Sequence, residues 1–100
     1  EIRTIAADDL WMSPCYQQDC VAFHFTWKQE WDAVQKVLPL MEAQLAPYEA
    51  RPHWGKVFTM PAQVVKSHYE KLPQFRQHIE KTDPTGKFRN DFLDTYIFGE

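Results

Sequence analysis

From Asp19 to Trp27 the chain alternates strictly. Val21, Phe23, Phe25 and Trp27 fall on one side, and Cys20, Ala22, His24 and Thr26 on the other. A two-residue period over this length predicts a strand over Asp19–Trp27, with one apolar core face and one small, polar face. Such a strand needs a neighbour, and Glu1 to Ala6 supplies one. There Glu1, Arg3 and Ile5 share one face, and Ile2, Thr4 and Ala6 the other. The expected arrangement is antiparallel, with Glu1 and Arg3 on the same face as His24 and Thr26. Asp8 to Asp19 connects the two, and Ser13-Pro14 breaks any regular structure within it.

Beyond Trp27 the period changes. Thr26-Trp27-Lys28-Gln29 fits a capping box. Val34, Val37, Leu38, Met41 and Leu45 then recur at helical spacing. Pro39 within this run predicts a kink or a helix start near it, and Pro47 ends it. Val57 to Met60 is expected to be a short extended piece. Pro61 suits the first position of a helix running to about Lys71, and Pro73 that of another with Leu72, Phe75 and Ile79 as its stripe. Asp83-Pro84-Thr85-Gly86 matches a type I turn. An aromatic tail follows from Lys87, with Phe88, Phe92, Tyr96 and Phe98 expected to form an exposed apolar patch. Strands and helices together give an α+β fold with antiparallel strands, on 100 residues that suffice for one small domain.

Composition excludes several classes. The net charge of −3 leaves no basic footprint for nucleic acid. No apolar run reaches the roughly 20 residues of a membrane helix. The first residues lack the order of a signal peptide, so the expected compartment is the cytoplasm. Cys15 and Cys20 are read as free thiols, although an oxidising compartment would permit a disulfide. Their spacing is not that of a zinc site, no two His have metal-site spacing, and no metal is expected.

Three groups of residues carry candidate chemistry, each with a plainer alternative. Glu1 and Arg3 make a substrate clamp, in which a carboxylate accepts from hydroxyls and a guanidinium offers fixed donors to a developing negative charge. Otherwise they are an exposed strand face. His24 orients or deprotonates an alcohol, with Thr26 beside it. Otherwise the face is solvated and Thr26 caps the helix. One hydroxyl does not easily do both. His53-Trp54-Gly55-Lys56 is a compact loop with a close-approach glycine and a cation, suited to an anionic ligand or a reduced cofactor. Otherwise it is an ordinary turn. The residues alone reach a polar pocket on an α+β chain and no reaction.

The segments "EIRTIAADDLW", "HFTWK", "RPHWGK" and "DPTGKFRNDFL", in this order and at these separations, resemble the C-terminal region of the alditol and xylitol oxidase group. That group is related to the aldonolactone oxidases, of the D-arabinono-1,4-lactone oxidase type, within the vanillyl-alcohol oxidase superfamily of FAD-linked oxidases. The resemblance runs over essentially the whole chain, and "HWGK" and "DPTGKFRN" are its most specific pieces.

The resemblance implies a fragment of an enzyme that oxidises a sugar alcohol with dioxygen, giving hydrogen peroxide. Residues 1–82 would be the end of the substrate (cap) domain, and 83–100 a tail returning toward an FAD-binding domain. FAD would belong to the parent protein. The start at Glu1, without Met and inside a strand, suggests a truncated piece, expected to be inactive and free of flavin by itself. By resemblance Glu1 binds substrate hydroxyls, and Arg3 faces flavin and substrate. His24 and Thr26 line the pocket, His24 in a catalytic role, and Lys56 stands close to the reacting hydroxyl and the flavin. His53, Lys56 and Asn90 are assigned to the cofactor side. The rival readings are an aldonolactone oxidase acting on a sugar lactone, and a non-catalytic interaction module.

Overall fold

The computed structural model describes residues Glu1 to Gly99. The final position of the expected 83–100 tail lies outside the described residues. The chain divides into two compact units, residues 1–60 and residues 61–100. The expected divide at 82/83 is a statement about the parent protein. Within the chain, Asp83 and the residues after it belong to the same unit as the two preceding helices.

The first unit opens with β1, Ile2–Ile5, paired antiparallel to β2, Cys20–Phe23. Ile2 faces Phe23, Arg3 faces Ala22, Thr4 faces Val21 and Ile5 faces Cys20. The ladder closes on a reciprocal pair at its end. Glu1 donates its N-terminal N–H to the His24 carbonyl at 2.9 Å, and the His24 amide donates to the Glu1 carbonyl at 2.8 Å. Opposed residues share a face. Glu1 and Arg3 therefore stand with Ala22 and His24, the face expected for them.

The β2 strand is shorter than the sequence pattern suggests. Alternation persists to Trp27, whereas the strand itself spans Cys20–Phe23, followed by the backbone pair of His24 with Glu1. Its apolar face is not a core face either. Val21 and Phe23 are about half exposed, and so is Phe25. Ile2 and Thr4 share that face, and no second layer packs on it among the described residues. A period-two pattern reports which side chains align, not whether anything covers them. Phe25 and Trp27 stack on each other, with ring centroids 5.6 Å apart.

Helix α1 spans Trp31–Leu45. It does not start from the expected capping box. Glu30 is its N-cap and makes no side-chain cap bond, because the Glu30 amide turns back onto the Lys28 carbonyl at 2.7 Å and places the first helical turn after it. The helix also runs straight through Pro39 in sequence, so no helix starts there. Proline removes one internal N–H, and burial of Val34 and Leu38 on the flanking turns opposes that loss. A buried leucine contributes about 1.5–3 kcal/mol by leaving water, so Leu38→Ala weakens the helix's hold on the core. A 3₁₀ turn, Ala46–Tyr48, follows as Pro47 ends the helix. Residues 57–60 form no strand. Instead the Glu42 carboxylate accepts from the Thr59 amide at 2.6 Å and the Thr59 hydroxyl at 2.8 Å. Cys15, Val34, Leu38 and Met60 are the buried apolar residues of this unit.

The second unit is helical. Helix α2 covers Ala62–Ser67 and α3 covers Leu72–Thr82. The first is shorter than expected. Amides of His68 and Tyr69 bond three residues back and tighten the chain out of the helix. Pro73 lies in the first turn of α3, as expected, where its missing N–H costs no internal bond. Asp83–Gly86 is the anticipated turn. The Gly86 amide donates to the Asp83 carbonyl at 3.0 Å, and the Asp83 carboxylate takes the Lys87 and Phe88 amides at 2.9 Å each. Helix α4, Asp91–Leu93, continues into a π-helical turn, Asp94–Phe98. Ile97 is buried along with Val65, Tyr69 and Leu72. The tail is thus part of a small core, and Phe88 alone of its aromatics is mostly exposed, at 77%. Val21, Phe23, Phe25 and Ile2 form the larger apolar exposure. No helix among the described residues is long and apolar enough to cross a membrane.

Candidate functional site

The strand pair brings three of the proposed site residues together. Arg3 Nε donates to Glu1 Oε1 at 2.7 Å, and a second guanidinium N–H reaches the same oxygen. His24 Nδ1 lies 3.9 Å from Glu1 Oε2. All three side chains are half exposed or more, so the ion pairs among them add little to stability. Their alignment matters more. One Glu1 oxygen is committed to Arg3, the other faces His24, and Arg3 keeps further N–H donors beyond those given to Glu1.

Thr26 is exposed, two residues past the end of the ladder. Since the helix begins after Glu30, the Thr26 hydroxyl is not taken by a cap. The structure places it near no other site residue through a hydrogen bond.

His53 and Lys56 share one turn. The Lys56 amide donates to the His53 carbonyl at 3.1 Å, and the Gly55 amide donates to His53 Nδ1 at 3.0 Å. That second bond fixes the ring, so a neutral His53 carries its proton on Nε2. A Cβ at Gly55 would stand 3.4 Å from His53 Cε1, in van der Waals contact with the folded-back imidazole. Lys56 is exposed, and its ammonium makes no hydrogen bond or ion pair among the described residues. Nothing of that kind links the turn to the Glu1–Arg3–His24 group.

The turn is anchored through residues to which the sequence pattern gave no anchoring part. Trp54 Nε1 donates to the Met12 carbonyl at 2.9 Å, and Arg51 donates to the Ser13 carbonyl at 3.3 Å. Backbone acceptors about forty residues away carry no signal in the sequence. Asp8 organises that connection. Its carboxylate accepts from the Leu10 amide at 3.0 Å and the Ser13 hydroxyl at 2.6 Å. An aspartate followed by Ser13-Pro14 was the available hint of such a turn network.

Asn90 belongs to the second unit. Its Oδ1 accepts from the Leu93 amide at 2.9 Å, an N-cap for α4. The side-chain amide Nδ2 remains for another partner.

Cys15 and Lys66, outside these clusters, are perturbed. Burial, then the neighbouring Cys20 thiol, pushes the Cys15 thiol up to about 11 from 9.0. Lys66 is lowered by loss of water and by nearby Arg76. Both cysteines are free. Among the described residues no group of three or more His, Cys, Asp or Glu could hold a metal ion.

The family model for D-arabinono-1,4-lactone oxidase matches residues 1–96. The chain belongs to the D-arabinono-1,4-lactone oxidase family. It is 42% identical over 99% of its length to alditol oxidase of Streptomyces sp. (strain IKD472 / FERM P-14339), covering 24% of that protein. It is 31% identical over 98% of its length to L-gulonolactone oxidase of Scyliorhinus torazame, covering 23%. It is also 29% identical over 92% of its length to L-gulono-1,4-lactone dehydrogenase of Mycobacterium tuberculosis, covering 21%. The chain thus spans about a quarter of the length of the curated relatives it matches.

Proposed function

We propose that this chain is the C-terminal part of an FAD-dependent oxidase that converts a sugar alcohol, such as xylitol or sorbitol, to a carbonyl product with release of hydrogen peroxide. The observation that carries this reading is the Glu1–Arg3–His24 cluster, held by strand register in a chain 42% identical to an alditol oxidase. In the parent protein, residues 1–82 would close the substrate domain, and 83–100 would return toward an upstream FAD-binding domain. We assign it to the cytoplasm, where free Cys15 and Cys20 stay reduced.

The donor set suits the reacting end of such a cofactor and not its phosphates. The glycines at 55, 86 and 99 stand far apart, and a phosphate cradle needs clustered backbone N–H groups. A bound FAD supplies the hydride acceptor, and dioxygen carries the electrons away as hydrogen peroxide. Glu1 accepts hydrogen bonds from substrate hydroxyls and so sets which carbon is presented. Arg3, aligned by Glu1, directs its remaining N–H donors at oxygen bearing partial negative charge. His24 takes the hydroxyl proton, and Thr26 holds a neighbouring hydroxyl. Lys56 contributes a fixed cation beside the reacting hydroxyl, where its effect grows as charge develops. His53 Nε2 is the donor left for the flavin side, and Asn90, in the second unit, keeps its Nδ2 as a separate candidate donor.

A second reading is favoured by the family model and by the L-gulonolactone oxidase relatives. In it the substrate is an aldonolactone and the same residues act on a ring hydroxyl.

The test uses the full-length protein. Purified enzyme is assayed for hydrogen peroxide with xylitol, sorbitol, D-arabinono-1,4-lactone and L-gulono-1,4-lactone, and its visible spectrum is recorded. A yellow protein faster on the polyols supports the first reading, and one faster on the lactones selects the second. A colourless protein whose upstream coding sequence holds no FAD domain would leave a non-catalytic interaction module.

A further inference from the structure

We propose that Trp54 is a positioning residue for Lys56. Its indole N–H, bonded to the Met12 carbonyl, holds the His53–Lys56 turn so that the ammonium stays at the reacting hydroxyl. This rests on the reading of Lys56 given above.

A four-residue turn closed by its own backbone bond has a shape but no address. The bond from the Lys56 amide to the His53 carbonyl fixes the first and leaves the second open. The address comes from distant contacts. Trp54 and Arg51 reach back 42 and 38 residues to two consecutive carbonyls, Met12 and Ser13. Those carbonyls are themselves held. The Ser13 hydroxyl donates to Asp8 at 2.6 Å and accepts from the Cys15 amide at 3.0 Å, while the Ser13 amide donates to the Leu10 carbonyl at 3.0 Å. On the far side of Lys56, Thr59 is clamped by Glu42 on α1.

Lys56 therefore sits between two restrained points, with no side-chain partner of its own among the described residues. A cation needed at a transition state benefits from such restraint, because misplacement by about 1 Å can cost on the order of a hundredfold in rate. The bond from Trp54 is part-buried. Trp54→Phe keeps an aromatic ring but removes the indole N–H together with part of the ring, so the Met12 carbonyl loses this donor and the turn loses its nearest tether.

The experiment uses full-length holoenzyme and whichever of xylitol, sorbitol and L-gulono-1,4-lactone the wild type oxidises fastest. Steady-state kinetics are measured for Trp54→Phe, Lys56→Ala and the double variant. Hydrogen exchange is followed in the peptide covering residues 53–58. The expected result is a kcat about tenfold lower for Trp54→Phe with KM nearly unchanged, and no further loss when it is added to Lys56→Ala. The 53–58 amides should exchange roughly tenfold faster, with the 31–45 helix unaltered. Wild-type kcat and exchange in Trp54→Phe, alongside a large loss in Lys56→Ala, overturn the role of Trp54 and leave that of Lys56 standing. An unchanged kcat in Lys56→Ala overturns the reading of Lys56 and this inference with it. An equal loss from Trp54→Phe with and without Lys56 shows that Trp54 acts elsewhere, and also overturns it. If Trp54→Phe does not fold, Ser13→Ala weakens the same platform. Its effect must likewise vanish in the Lys56→Ala background.

Discussion

Lys56 in the first unit and Lys66 in the second have the same charge and opposite circumstances. Lys66 donates to the Gly99 carbonyl, and Arg76 beside it donates to the Ile97 carbonyl. Asn90 and Asp83 likewise give their oxygens to backbone amides of their own unit. These four side chains of the second unit thus close the chain on itself. In the first unit, Lys56 has no such partner among the described residues. Glu1, Arg3 and His24 engage one another at an exposed face on paired strands, while the backbone around Lys56 is tied down by Trp54 and Glu42. Donors left open on a restrained backbone are what a ligand can use. Donors closed onto carbonyls are not.

The sharpest way to break this contrast is Lys56→Ala in the full-length enzyme. Loss of one preorganised charge at a reacting centre costs about 3 kcal/mol, roughly a hundredfold in kcat, with less change in KM. A kcat within about twofold of wild type would reduce Lys56 to a solvated surface lysine. Glu1→Ala comes next. A carboxylate holding a substrate hydroxyl acts in the ground state too, so KM should rise about tenfold with some loss of kcat. Unchanged KM would remove Glu1 from the substrate's contacts.

Asn90 separates the two kinds of use within one side chain. Asn90→Asp keeps the cap oxygen and loses the amide donor, whereas Asn90→Ala loses both. Chemical denaturation should show Asn90→Ala down by about 1 kcal/mol and Asn90→Asp near wild type. Flavin release, followed by fluorescence, should be faster in both if Nδ2 serves the cofactor. Release at the wild-type rate from Asn90→Asp leaves Asn90 as a cap alone. Lys66→Ala should lower the melting temperature by about 4 °C or less and leave kcat within about twofold. A large loss of turnover there would erase the distinction between the two lysines.

The smallest effect concerns Cys15. Its thiol is raised from 9.0 to about 11 in the folded chain, so the folded state holds the proton more tightly than the unfolded state. That contribution is fully present below pH 9 and is lost as pH rises through about 11. Wild-type stability should fall across that window by a component missing in Cys15→Ala. Mass spectrometry after iodoacetamide treatment at neutral pH should find Cys20 alkylated before buried Cys15. Equal labelling would contradict the burial.

Residue order alone determined the antiparallel pairing partners, the face shared by Glu1, Arg3 and His24, the Asp83–Gly86 turn and the proline-marked start of α3. Each of these is set by periods of two or by the local chemistry of Pro, Gly and Asp, which act within a few residues. The "HWGK" string likewise marked the turn and its lysine. Tertiary structure alone decided that the helix starts after Glu30 and not at Thr26, and that Trp54 and Arg51 hang the turn on Met12 and Ser13. Those outcomes depend on which surfaces meet and on backbone carbonyls, which every residue possesses. No choice of side chain at position 12 or 13 announces that its carbonyl will receive a tryptophan 42 residues away.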